Sequence, residues 1–134
     1  MTQVFVDGLP VPQGSKTGFV VGKDKPRAVV VDVKRKQLVE WRDRVADMVR
    51  GERFGPHVPV RVDLVFYLPR GKTVKRKFPT TKPDVDKLTR AIFDALAQAW
   101  VVADDSQIVT GTQSKRYADD RPVGVAIRVK EVEE

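Results

Sequence analysis

The chain has 134 residues, which is enough for one domain with a modest core but not for two. It contains no cysteine and no apolar run long enough to span a membrane, so disulfides, thiolate metal sites and a transmembrane helix are excluded. Lys and Arg outnumber Asp and Glu, 25 to 18. This charge favours nucleic acid as a partner, but a well-solvated basic surface explains it equally well. No secretory signal is visible, and we expect a cytoplasmic location.

The first third of the chain predicts a strand, a hairpin and a helix. A strand is expected at residues 2–7, followed by a loop rich in proline and glycine. Two β-branched runs around a charged turn predict hairpin strands at residues 19–21 and 28–32. Apolar residues at three- and four-residue spacing then predict an amphipathic helix over residues 36–50, with Trp41 in the core and Gly51 as its stop.

The middle of the chain predicts a half-buried strand and a basic loop. Strict alternation of apolar residues over 60–68 indicates the strand, which Pro69 ends. Residues 70–82, the basic loop, carry six basic residues and no acid. Phosphate contacts are expected from Lys72, Lys75, Arg76, Lys77 and Lys82 of this loop and from Lys16. The alternative is a solvated charge run, which would lack the steep salt dependence that phosphate neutralisation gives.

The last third predicts a second helix and closing strands. Leu88, Ile92, Ala95 and Leu96 form an apolar stripe that indicates a helix over about residues 84–97. Residues 106–117 and 122–132 then resemble closing strands. The expected fold is a single α+β domain with two principal helices on a small mixed or mainly antiparallel sheet.

Two groups of acids flank the second helix. Asp84 and Asp86 stand at its start, where an N-cap and the helix dipole explain them without any function. Asp104 and Asp105 follow about twenty residues later, as acids often do in turns. The helix rises roughly 20 Å and the returning segment can extend about 26 Å, so Asp105 can reach Asp84 and Asp86 only if residues 98–104 run almost straight back.

Three converging carboxylates without His or Cys would make an all-oxygen site, which suits Mg²⁺ or its substitute Mn²⁺. Asp86, Arg90 and Asp94 are four residues apart and share a polar helix face. Beside a basic loop, this combination is what a phosphodiester hydrolase needs. Arg90 could orient a carboxylate or stabilise the charge that develops on the phosphate.

The segment KPDVDKLTRAIFDALAQAWVVADDSQI, residues 82–108, resembles the signature of RusA-type Holliday junction resolvases. That signature is Lys-Pro-Asp-X-Asp-Asn-Leu, a Lys three residues after the Asn, an Asp-Ala-Leu, and Asp-Asp-X-Gln-Ile or Val. The start PVPQGSK and the chain length are similar to those of phage-encoded members.

The resemblance implies that Asp84, Asp86 and Asp105 are the catalytic, metal-binding acids, with Asp94 as a brace. It also implies a homodimer that cuts opposing strands of a four-way DNA junction. Lys87 stands where the family usually has Asn, and Arg90 where it usually has Lys. Arg90 keeps the positive charge but not the compact ammonium, and Lys87 could add a phosphate contact or mark a changed preference.

Three other functions compete with the resolvase interpretation. A nuclease of the same fold could act on forks or flaps, which relative cutting rates would reveal. A branched-DNA-binding protein without catalysis would use the acids only as helix caps. An Asp-X-Asp nucleotide-sugar transferase is disfavoured because the chain lacks room for the usual nucleotide-binding domain.

For two further residues we considered a purely structural role and a functional one. His57, the single histidine, lies between prolines and is expected in an exposed loop. Trp100 follows the second helix and could pack there, lie in a dimer interface or stack on a base.

Overall fold

A computed structural model describes the backbone of residues 1–14 and 25–133, and side chains over 1–14 and 34–133. Its elements follow in the order β1 (Thr2–Asp7), α1 (Lys25–Val49), β2 (Val60–Leu68), α2 (Val85–Gln98), a 3₁₀ turn (Asp105–Gln107), β3 (Ile108–Thr110), β4 (Gln113–Tyr117) and β5 (Gly124–Glu131). The predicted strand at 19–21 and Lys16 lie outside the described residues. No helix in the described part of the chain has the length and apolarity needed to cross a membrane.

The five described strands form one mixed sheet. β5 lies between β1 and β2 and is antiparallel to both, with Ile127 opposite Val4 on one side and Leu64 on the other. Along its other edge β2 pairs in parallel with both β3 and β4. The predicted α+β class with two helices on a mixed sheet is therefore confirmed.

One hydrophobic core joins the sheet to both helices. Every second side chain of β2, from Val60 to Leu68, is buried. The apolar stripe of α2 packs into the same core, as do Trp41 and Val45 of α1. Because burial of apolar area dominates folding free energy, this shared core fixes where α2 lies on the sheet.

The prediction of a strand at residues 28–32 was wrong, because these residues are helical in α1. Their valines favour a strand only weakly, and such local propensity yields to tertiary context. Pro26 falls in the first turn of α1, where a missing N–H breaks no helical hydrogen bond. α1 therefore starts about eleven residues earlier than the periodicity indicated, and it ends at Val49, just before Gly51.

Gly111 explains how β3 and β4 can both run beside β2. Its φ is 148°, and a Cβ on this residue would overlap the carbonyl oxygen of Val62. Only glycine permits this approach of the two backbones. Thr112 then places both its backbone N–H and its hydroxyl on the Asp63 carboxylate, at 3.0 and 2.8 Å. The chain thus re-enters the sheet in the same register after an interruption of two residues, Gly111 and Thr112.

Candidate functional site

The start of α2 carries two of the predicted site acids, Asp84 and Asp86. Asp84 is the N-cap, as predicted, with extended φ and ψ of −72° and 140°. Its carboxylate nevertheless makes no capping hydrogen bond and instead lies 3.6 Å from the Lys87 ammonium. Asp86 is exposed in the first turn. The capping explanation for Asp84 therefore fails at the level of the side chain, and its carboxylate is available for another task.

The start of α2 has no side-chain cap, and hydrogen bonds to its backbone carbonyl oxygens hold it instead. The Lys115 ammonium donates to the carbonyl oxygens of Thr81 and Pro83, both at 2.9 Å. The backbone N–H of Gln13 donates to the carbonyl oxygen of Lys87 at 3.0 Å. The roles of Gln13 and Lys115 cannot be predicted from the sequence, because partners so distant in the chain leave no local signal.

The second acidic group is built as a capped turn. Asp104 is the N-cap of the 3₁₀ turn, and its carboxylate accepts from the backbone N–H of Ser106 at 2.9 Å. Gln107, three residues on, accepts from the N–H groups of Ala103 and Asp104 at 2.7 and 3.1 Å. This reciprocal arrangement is a capping box, for which Asp-X-X-Gln is a sequence signal.

Gln107 also fastens the acidic turn to a distant segment. Its amide nitrogen donates to the carbonyl oxygens of Gly55 and Val58, at 2.7 and 3.0 Å. The residue is buried, with 7% of its surface exposed, and both ends of its amide are satisfied. This glutamine is part of the motif in residues 82–108, but the motif alone predicts no role for it. We now identify it as the support of Asp104 and Asp105.

The carboxylates of this turn have unequal affinities for protons. Burial raises the pKa of Asp105, and a hydrogen bond with Asp104, the charge of Asp104 and the charge of Asp94 raise it further. The hydrogen bond from the Ser106 backbone N–H, with the Asp105 and Ser106 side chains, lowers the pKa of Asp104. Asp105 is therefore close enough to α2 for the charge of Asp94 to affect its pKa. The Asp94 carboxylate itself lies 3.8 Å from the Arg42 guanidinium.

The acidic turn thus lies against α2, where the charge of Asp94 acts on Asp105. Among residues 1–14 and 25–133, no three acidic or histidine side chains are arranged as a preformed metal-binding group. A joint site of Asp84, Asp86 and Asp105 therefore stays a prediction. The donor chemistry fits a divalent cation, since all three are carboxylates. Burial first, and then Asp104 and Asp94, raise the pKa of Asp105, and a cation beside it would favour the ionised form instead.

The basic loop is tied down at its first residue. Arg70 donates to the Asp119 carboxylate at 2.8 Å and to the carbonyl oxygens of Val74 and Arg76 at 3.1 and 2.7 Å. Its guanidinium also lies 4.1 Å from the centre of the Tyr117 ring. The predicted phosphate-binding side chains of this loop are all exposed: Lys72, Lys75, Arg76, Lys77 and Lys82. Arg70 therefore supports the loop and leaves the other cations facing solvent.

A groove of about 1440 Å³ brings part of the basic loop to the start of α2. Arg76 and Lys82 line it from the loop, and Asp84 and Lys87 line it from α2. Lys34, Arg35 and Arg42 of α1 face the same space. Asp84 is the one acid among these lining residues, so an anionic strand in the groove would be drawn to cations on either side of it.

The remaining predicted residues lie at the surface. Arg90 is exposed, one helical turn from Asp86, and forms no ion pair with the described residues. His57 is exposed, as predicted, and Trp41 is buried, also as predicted. Trp100 is 58% exposed and has a left-handed φ of 60°, so it does not pack into the core.

A small α+β domain with carboxylates beside a cationic groove is the arrangement expected of a nuclease. Comparison with known proteins identifies the family of nucleases. A family model described as "Endodeoxyribonuclease RusA" matches residues 14–130, and the chain belongs to this RusA family. It is also similar to the "Uncharacterized protein YqaN" of Bacillus subtilis (strain 168), with 35% identity over 136 aligned residues and 92% of each chain covered.

Family membership confirms the resemblance found in residues 82–108. It implies an endonuclease that acts on Holliday junctions, and the nucleases of this family are generally Mg²⁺-dependent. The matched region contains Asp84, Asp86, Asp105 and every predicted DNA-binding residue.

Proposed function

We propose that this protein is a Mg²⁺-dependent endonuclease that resolves four-way DNA junctions by symmetric paired nicks. Mn²⁺ would substitute for Mg²⁺, and the reaction would serve recombination, repair or the processing of phage DNA. The observation that carries the proposal is the position of Asp84, which makes no capping hydrogen bond and lines a groove together with cations of the basic loop and both helices. Family membership supports the same chemistry.

Asp84, Asp86 and Asp105 are the residues that would hold the cation. When bound, the cation supplies an activated water and neutralises the charge that develops on the scissile phosphate. Asp105 has to be ionised to take part, and its raised pKa means that a proton competes for it at higher pH than for an ordinary aspartate.

The cationic residues bind and orient the DNA strand. Arg76, Lys82 and Lys87 would contact phosphates along the groove, while Lys72, Lys75 and Lys77 would extend the contact over the exposed part of the loop. Arg90 keeps a permanent positive charge one turn from Asp86, where it would stabilise the phosphate as charge accumulates.

We also propose a homodimer as the active form. Two nicks on opposing strands of a junction require two sites, and a single chain of this size carries one set of these acids. A two-fold dimer would match the pseudo-symmetry of a four-way junction.

The test is cleavage of an immobile synthetic four-way junction, compared with linear duplex and a flap, in Mg²⁺ and in chelator. Symmetric nicks confined to the junction are expected from the wild-type protein in Mg²⁺. Asp86→Asn should cut at least about 100-fold more slowly, since loss of a ligand should cost no less than loss of a ligand's support. Asp47→Asn removes an acid from the exposed face of α1 and is the matched control.

Each alternative gives a different result in this assay. Tight junction binding without cuts under Mg²⁺ or Mn²⁺ would make this a binding protein and the acids structural. Faster cutting of the flap would identify a nuclease for forks and flaps. Equal rates for Asp86→Asn and Asp47→Asn would show that Asp86 has no part in catalysis.

A further inference from the structure

We propose that Lys115 is the positioning residue of this site: its ammonium fixes the backbone that enters α2 and so sets where Asp84 and Asp86 stand. Both of its hydrogen bonds, at 2.9 Å, go to the segment immediately before Asp84, one to the carbonyl oxygen of Thr81 and one to that of Pro83. The inference rests on the proposed function, because the position of these carboxylates matters only if they act together.

Lys115 is a firm anchor because of its place in the sheet. It lies in β4, in register with Phe66 of the central strand β2, and Phe66 is fully buried. The Lys115 side chain is itself partly buried. Bonds from a charged donor to carbonyl oxygens are stronger than neutral ones, and one ammonium can serve two acceptors because it carries three N–H groups. The sheet therefore holds a segment that has no strand or helix of its own.

The start of α2 needs such an external support. The fully buried stripe of α2 begins at Leu88; before it, Val85 packs only partly against the core, and Asp84 and Asp86 are exposed. A helix start is ordinarily secured by a side-chain cap, but the Asp84 carboxylate makes no capping bond. Lys115 secures the backbone on one side of Asp84, and Gln13 secures it on the other through the Lys87 carbonyl oxygen. The helix start is thereby held without a capping bond from the Asp84 carboxylate.

Lys115 acts on the reaction through these acids and not by touching DNA. Its loss should reduce cleavage and cation affinity together and leave junction binding unchanged. Loss of a residue that only stabilises the fold would lower cleavage, cation affinity and junction affinity together. Loss of a phosphate contact would lower junction affinity and leave cation affinity unchanged.

The experiment compares Lys115→Met, which removes the donors at similar length, with Lys115→Arg, which keeps them. Arg116→Met is the matched control, because Arg116 is the next residue of β4, is exposed and loses the same charge. Four quantities are measured: single-turnover junction cleavage, Mn²⁺ affinity by calorimetry without DNA, junction affinity in chelator, and the thermal transition.

Lys115→Met should lose about 10- to 100-fold both in cleavage rate and in Mn²⁺ affinity relative to Arg116→Met. Its junction affinity should equal that of Arg116→Met, and Lys115→Arg should recover most of the loss. The proposal is overturned if the Met variants of both positions cleave and bind Mn²⁺ alike, or if junction affinity falls in step with cleavage.

Two further outcomes are possible: Lys115→Met does not fold, or the wild-type protein is inactive. If Lys115→Met shows no cooperative thermal transition, Lys115→Gln, which keeps a donor for one carbonyl, replaces it under the same criteria; unfolding of both variants makes Lys115 a stability residue and overturns the proposal. If wild-type protein neither cuts the junction nor binds Mn²⁺, the proposed function itself fails, which is distinct from a wild-type activity that ignores Lys115.

Discussion

Replacement of Gln107 by alanine should destabilise the protein by roughly 2–3 kcal/mol. The side chain makes four hydrogen bonds, two from Nε2 and two to Oε1. At a net contribution of about 1 kcal/mol each, all four together give an upper value of roughly 4 kcal/mol. Ala103, Asp104 and Gly55 are exposed, so water can replace part of what is lost.

The matched control is Gln98→Ala, which makes the same chemical change at the surface. Gln98 has one described hydrogen bond, to the Asp43 carboxylate at 2.7 Å, and lies at the exposed end of α2. Its loss should cost at most about 1 kcal/mol. Gln107→Glu is a second comparison, because it keeps the acceptor oxygen but directs a carboxylate at the carbonyl oxygens of Gly55 and Val58.

Urea denaturation followed by circular dichroism measures the difference. With an m-value of about 1–3 kcal/mol/M, the Gln107→Ala midpoint should fall by about 1–2 M, and that of Gln98→Ala by clearly less. Equal shifts in the two alanine variants would refute the reasoning, because the buried amide would then contribute no more than an exposed one. If Gln107→Glu were as stable as the wild type, the hydrogen bonds that Gln107 donates to Gly55 and Val58 would contribute nothing to stability.

Two further predictions concern backbone strain and acid sensitivity. Trp100→Gly should stabilise the protein by roughly 0.5–1 kcal/mol, since glycine accepts the φ of 60° without penalty, whereas Trp100→Ala keeps the Cβ and should give no gain in the same urea assay. Burial alone would raise the pKa of Asp63, but hydrogen bonds from Arg61 and Thr112 hold it below its usual value. Asp63 therefore stabilises the fold above the unfolded pKa of about 4, and this contribution is lost as pH falls through the lower folded value. Asp63→Asn should flatten the pH dependence of the unfolding free energy in that acidic window, and an unchanged profile would contradict the assignment.

The sequence was most informative where one face of an element is buried. The alternation in residues 60–68 predicted β2 with the bounds the structure has, and the stripe from Leu88 to Leu96 predicted α2. It was least informative for 28–32, where valines suggested a strand and the chain is helical. The parallel pairing of β2 with β3 and β4 was also beyond sequence reasoning, because it depends on the close approach at Gly111.

The candidate site shows the same division. Helix-start signals and motif spacing singled out Asp84, Asp86 and Asp105, and their joint role stays a prediction. The residues that hold them in place were not predicted: Lys115 and Gln107 act through carbonyl oxygens more than thirty residues away. A carbonyl group is present at every residue, so no residue type marks such a partner in the sequence.

The position of β5 between β1 and β2 has a consequence for how the protein is made. β1 is synthesised before the other described strands, yet its sheet partner is the last of them to be synthesised. Until β5 arrives, β1 has no edge to join, and β2 exposes an edge that other chains could pair with. The sheet therefore closes in a late step that requires contacts across nearly the whole chain, and we expect slow folding and a strong dependence of soluble yield on an intact β5.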